Sequence, residues 1–129
     1  MTLPSIVRYL NSKPEAVEDY PFGPDAQVFK IQGKMFALVF RRNGRDCINL
    51  KCDPWEAVEL RDLFDAVQPG YHMNKAHWNT VVLDGSLPMG EIERMIDNSY
   101  ALVVGTLRKS VRVGLELRHG KDRLYPAGR

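Results

Sequence analysis

The spacing of apolar positions changes several times along this 129-residue chain, and each change marks an element boundary. Ile6, Val7 and Leu10 recur at helical intervals behind Pro4, predicting a short first helix over Ser5 to Leu10. Tyr20-Pro21-Phe22-Gly23-Pro24 cannot be helical and predicts a structured turn. Val28 to Ile31 and Met35 to Phe40 are strand-like runs around the glycine-containing loop Gln32-Gly33-Lys34. Asn43-Gly44 then signals a tight hairpin turn into a third run, Cys47 to Cys52. The tip of that hairpin is basic, reading Arg41-Arg42-Asn43-Gly44-Arg45.

Helical spacing returns at Asp53-Pro54-Trp55-Glu56. Asp53 is placed to cap, Pro54 needs no amide donor at the first position, and Glu56 stands where a capping box wants an acid. The predicted helix runs to about Val67, burying Leu60, Leu63, Phe64 and Val67 while Glu59, Asp62 and Asp65 face water. Gln68-Pro69-Gly70 ends it. His77 to Leu83 reads as a strand with Tyr71 to Met73 beside it, and Asp84-Gly85 turns the chain again. Pro88 opens a long helix with an inner stripe of Ile92, Met95, Ile96, Ser99 and Val103, extended by Val104 and Leu107. Trp55 and Trp78 are expected in the core with their ring nitrogens satisfied. The order is α-β-β-β-α-β-β-α. It predicts a single α+β domain, an antiparallel sheet with helices packed on it, followed by a basic tail from about residue 108.

Composition adds limits. At 44% hydrophobic residues the chain falls in the ordinary globular range. No apolar run approaches the ~20 residues of a membrane span, and Met1-Thr2-Leu3-Pro4-Ser5 lacks the pattern of a secretion signal. With only Cys47 and Cys52, a cytoplasmic location without a membrane partner is expected. The net charge of +2 hides an uneven distribution. Positions 41–51 hold four bases and one acid, 53–65 five acids and one base, and 108–129 seven bases and two acids. Basic segments at a turn and a tail suit phosphates, while the acidic helix between them argues against an all-round nucleic-acid coat.

The densest chemistry lies in Gly70-Tyr71-His72-Met73-Asn74-Lys75-Ala76-His77-Trp78-Asn79-Thr80-Val81. So many hydrogen-bonding side chains and rings mark a polar site or a contact surface. Side chains alternate along a strand, so Asn49 and Lys51 share one face and His77 and Asn79 share one. If those two faces coincide, Asn49, Lys51, Asn74, Lys75, His77 and Asn79 surround one patch, with His72 nearby. The opposing reading is an internal hydrogen-bond network that fixes the turn. No metal site is assigned, because His72 and His77 lack a third ligand and Cys47 and Cys52 point to opposite faces. No catalytic triad, nucleotide-binding glycine fingerprint or cofactor motif appears.

Several motifs together resemble the MmcQ/YjbR family. They are Tyr20-Pro21-Phe22-Gly23-Pro24, Phe29-Lys30, Asn49-Leu50-Lys51-Cys52, Gly70 to Lys75, His77 to Val81, and Ser99-Tyr100 with Leu102-Val103. The resemblance runs from about Ile6 to Leu107. It implies a fold like the frataxin and secretion-chaperone α+β sandwiches and a DNA-binding label with hairpins acting as wings, without an enzymatic activity.

Two functions follow as expectations. In the first, the chain binds DNA, with Arg41, Arg42 and Arg45 on phosphates and Lys34 and Lys51 on the same surface. In the second, the polar cluster around His77 holds a small anionic ligand or a protein. The bland alternative for the arginines is a solvated tip that keeps a sheet edge soluble. The oligomeric state and any DNA sequence preference are not written in these patterns.

Overall fold

The computed structural model describes residues 2–126. Helix α1 (Leu3–Asn11) leads into strands β1 (Val17–Asp19), β2 (Gln27–Ile31), β3 (Lys34–Arg42) and β4 (Arg45–Lys51). Helix α2 (Pro54–Leu63), strands β5 (Val67–Pro69) and β6 (Trp78–Val82), and helix α3 (Met89–Gly105) follow, then α4 (Lys109–His119) and α5 (Lys121–Leu124). The six strands form one antiparallel sheet in the order β1-β2-β3-β4-β6-β5. This is the α+β fold with helices on a sheet that the sequence predicts, with one extra leading strand and two extra trailing helices.

Local chemistry explains the main boundaries. Thr2 caps α1 in a reciprocal box with Ser5, two donors satisfied by two short side chains. Asn43 and Gly44 both take positive φ, 54° and 74°, the primed two-residue turn whose twist matches the strands it joins. The register between β2 and β3 slips at Phe29 and Lys30, leaving Phe36 as an extra residue on β3. This bulge lets consecutive Phe36 and Ala37 both bury completely.

One core lies between the sheet and the helices. Its helical wall is the expected stripe of α3, Ile92, Met95, Ile96, Ser99, Val103 and Val104. Ser99 ties that wall to the sheet: its hydroxyl donates to the Phe36 carbonyl at 2.6 Å and accepts the Lys51 amide at 2.9 Å. Beneath α1, buried Lys13 meets Asp97 at 2.7 Å, and the Tyr9 hydroxyl donates to the same carboxylate oxygen at 2.6 Å. Leu115 of α4 and Leu124 of α5 close the core completely buried, so the basic tail is folded as far as Leu124 and packs on the helix side, its last three residues lying outside the described ones.

Five expectations fail. Helix α2 stops at Leu63, because Phe64 turns extended so that Val67 can pair with Val81 in β5. Pairing outweighs the helical spacing, and Leu63 is left 71% exposed. Trp55 lies two positions from buried Ala57, about 200° around the helix, and is 82% exposed. Trp78 stands opposite Lys51 on the face of the sheet away from the helices. Tyr71 to Met73 form a turn, and β5 takes the edge position instead. Glu56 reaches Arg94 and Asn98 on α3, joining two helices where a capping box was expected.

Candidate nucleic-acid interface

Register and alternation sort every strand residue to one face of the sheet. Ala37, Val39, Ile48, Leu50, Val67 and Val81 face the helices. The other face carries no helix. Along it lie Leu38, Asn49, Thr80 and Gln68 in one row and Phe40, Cys47 and Val82 in the next. Arg42 and Arg45 pair at its upper end and Lys51 and Trp78 at its lower end. Strand residues give this face four cations, Lys30, Arg42, Arg45 and Lys51, against the single acid Asp19, which Lys30 engages at 2.9 Å.

The turn between β5 and β6 folds back over this face, and the sequence enforces its shape. Gly70 donates to the Trp78 carbonyl at 2.9 Å. A Cβ at residue 70 would stand 2.8 Å from both Trp78 Cβ and the Trp78 carbonyl oxygen, so no side chain fits. The next residue is clamped from below. The Tyr71 amide donates to Thr80 Oγ1 at 2.8 Å, and Asn49 Nδ2 donates to the Tyr71 carbonyl at 3.1 Å. The Thr80 hydroxyl in turn donates to Asn49 Oδ1. Two buried side chains thus satisfy each other and both backbone groups of Tyr71. Lys75 Nζ donates to the Gly70 carbonyl at 2.9 Å and closes the turn.

This clamp presents rings and charge. The Tyr71 ring stacks on Phe40 with centroids 5.8 Å apart, and the Arg42 guanidinium lies 4.0 Å from its centroid. His72, at φ 60°, holds its imidazole 3.9 Å from the Tyr71 ring. Left-handed backbone in a residue with a side chain is strained, and here the hydrogen bonds around Tyr71 hold it. Beside this group is a hollow of about 410 Å³ lined by Arg42, Arg45, Gln68, Thr80 and Val82.

The expected residues divide into three groups. Arg42, Arg45, Asn49, Lys51, His72 and Lys75 belong to the helix-free face or the turn over it. Arg41 does not. It points to the opposite side of the hairpin, where Asp46 meets it at 2.8 Å and the Gly44 carbonyl accepts a second bond. Lys34 sits at the far end of β3 and donates to the Thr106 carbonyl at 3.2 Å, at the C-terminal end of α3. It shares no surface with the arginine tip.

Asn79 also leaves the patch. Thr80, not Asn79, lies across from Asn49, so the two polar faces do not coincide. Asn79 faces the helices, accepting from Arg61 Nε at 2.7 Å and donating to the Ala57 carbonyl at 3.3 Å. Asn74 shapes its own loop by accepting from the Ala76 amide at 2.9 Å. Exposed His77 lies just before β6, where its carbonyl accepts from the Cys52 amide at 2.8 Å, and alternation sets it on the side of Asn79 and away from Lys51.

Sequence reasoning missed Thr80 as Asn49's partner and the Phe40-Tyr71-Arg42 stack. One signal was available: the Asn43-Gly44 turn fixes Arg42 opposite Arg45, and alternation then separates Arg42 from Arg41. Burial pushes the Cys47 thiol upward on the helix-free face and the Cys52 thiol to about 12 on the helix side. Both cysteines are thus kept as thiols. Among the described residues no group of three His, Cys, Asp or Glu side chains converges on a point that could hold a metal ion. Nor is any helix there long and apolar enough to cross a membrane.

Comparison with known proteins places this geometry. The family model described as YjbR matches residues 11–102. The Escherichia coli (strain K12) protein YjbR is 37% identical over 112 residues, 87% of this chain and 95% of that protein. The Escherichia coli O157:H7 protein YbdF is 40% identical over 90 residues, 70% of this chain and 74% of that one. Among solved structures, the Deinococcus radiodurans protein DR2400, described with a DUF419 domain, superposes with a TM-score of 0.82. It is 32% identical, covering 88% of this chain and 87% of that one. A Pseudomonas syringae protein superposes with a TM-score of 0.71 at 34% identity, covering 79% of this chain and 98% of that one.

Proposed function

The chain belongs to the YjbR family, and from the helix-free face of its sheet we propose that it is a DNA-binding module. The observation that carries this reading is the placement of cations at both ends of one strand. Arg45 and Lys51 share a face of β4 and stand six residues apart, about 20 Å along a strand. That is longer than any single phosphate group and suits a polymer with charges in series. Arg42 stands with Arg45 at the upper end. The guanidinium groups supply forked donors for phosphate oxygens, and Tyr71 and His72 offer rings between the two ends. Lys51 has no acidic partner among the described residues and remains available to a ligand, whereas Lys75 is held by the Gly70 carbonyl. In this reading the chain binds and performs no chemistry.

The hollow between Arg42 and Arg45 favours a second reading, a small anionic ligand such as a nucleotide or inorganic phosphate. One experiment separates the two. Fluorescence anisotropy with labelled DNA is measured against salt for the native chain, for Arg42→Ala/Arg45→Ala and for Arg41→Ala. The double variant is expected to lose about tenfold or more in affinity at low salt. Its plot of log affinity against log salt should flatten by about 2, for two lost phosphate contacts. Arg41→Ala should bind as the native chain does. Equal affinity in the double variant removes the proposal. A raised melting temperature with nucleotide or phosphate, without DNA binding, moves the assignment to the second reading.

A further inference from the structure

The helix side of the molecule holds an arrangement that the DNA reading leaves unused. The two most exposed large apolar side chains among the described residues are Trp55 on α2 and Leu117 on α4, at 82% and 83%. Neither stands alone. On α2, exposed Val58 and Leu63 continue the apolar surface from Trp55, and exposed Glu59 and Asp62 border it. The one base of this helix, Arg61, turns inward to Asn79 and the Lys75 carbonyl. The outer side of α2 is therefore apolar and acidic. A groove of about 570 Å³ runs between it and the start of α3, walled by Trp55, Leu63 and Phe64.

Helix α4 carries the inverse pattern. Lys109, Val113 and Leu117 follow one another at intervals of four, all exposed, with Arg112 alongside. The acid of this helix, Glu116, is engaged by the Tyr125 hydroxyl at 2.9 Å. Its outer side is therefore apolar and basic. The two helices sit at opposite edges of the fold. Helix α2 packs on β5 and β6, whereas α4 is tied to Glu15, just before β1, through Arg118 and His119. They cannot meet within one chain.

We propose that copies of this chain associate with each other, the acidic apolar side of α2 on one copy receiving the basic apolar side of α4 on another. Both halves of the contact are present, opposite in charge and unpartnered among the described residues of the same molecule. A foreign partner would explain only one of them. Buried rings and aliphatic side chains supply the affinity, and the charges choose the pairing. The contact is independent of the helix-free face and stands or falls without DNA.

Sedimentation equilibrium of the full chain, across protein and salt concentration, tests this. The native chain is expected to exceed monomer mass as concentration rises, and to dissociate tenfold more readily at high salt. Glu59→Lys/Asp62→Lys and Lys109→Glu/Arg112→Glu should each be monomeric alone, because each sets like charges against each other. Mixed one to one they should associate again, since every contact then has a matching partner. Trp55→Ala, which alters no charge, should weaken association without changing its salt dependence. Circular dichroism establishes that each variant is folded. A native chain that stays monomeric overturns the proposal, even if a basic amphipathic peptide binds α2. Association untouched by the reversals, or folded variants that fail to associate when mixed, overturns it as well.

Discussion

The two faces of the sheet use buried polar residues for opposite ends. On the helix side, Ser99, Asn79 and the Lys13-Asp97 pair stitch one layer to another, and each is spent on the fold. On the helix-free side, Asn49 and Thr80 stitch nothing across layers. They hold the backbone of Tyr71, so that its ring, His72 and Arg42 are presented outward. The same chemistry of hidden amides and hydroxyls gives rigidity in one place and a preorganised surface in the other. Burial alone therefore does not tell a structural polar residue from one that supports a site. What its partner displays does.

The sharpest break of this contrast is at Lys13. Its ammonium lies buried between the Tyr9 and Tyr100 rings, at 5.5 and 5.4 Å. Lys13→Met strands the Asp97 carboxylate and should cost about 3–5 kcal/mol in urea unfolding, with unchanged DNA affinity per folded molecule. A matched pair of variants sharpens it further. Ser99→Ala and Thr80→Val each remove a hydroxyl that serves backbone groups, and each should cost about 1–3 kcal/mol. Only Thr80→Val should also weaken DNA binding, because only it releases Tyr71. Equal DNA affinities in the two variants would erase the distinction between the faces.

The smallest effect is expected at Glu15, which anchors α4. Side-chain hydrogen bonds from Arg118 and then His119 hold its carboxyl down from 4.5 to about 2. A depressed carboxyl stabilises the fold above its unfolded value and loses that contribution as pH falls through the folded one. The stability gap between native chain and Glu15→Gln should thus shrink as pH falls from about 4.5 toward 2, followed by thermal melts. Its size is modest because the pair is largely exposed.

The fold was legible where one signal dominated. Asn43-Gly44 fixed a hairpin, Asp53-Pro54 a helix start, and the stripe from Ile92 to Val104 a core helix. It was illegible where two signals competed. Helical spacing continued through Phe64 and Val67, but only the sheet, assembled from distant residues, could show that Val67 had a strand partner. The site was half legible. Its residue types and general location could be read, and the arrangement of the Arg42 face followed from alternation past a known turn. That Thr80 rather than Asn79 faces Asn49 depends on a register between residues 31 positions apart, which no local pattern encodes.

One feature of the sheet bears on how this molecule meets its neighbours in solution. Its outermost strands, β1 and β5, are three residues long, and β5 ends in a proline. A ribbon from another chain would find almost no ladder there to extend, so fibril-like growth sideways is starved of a template. Crowding such molecules together leaves recognition to their side chains, and with it the choice of companion.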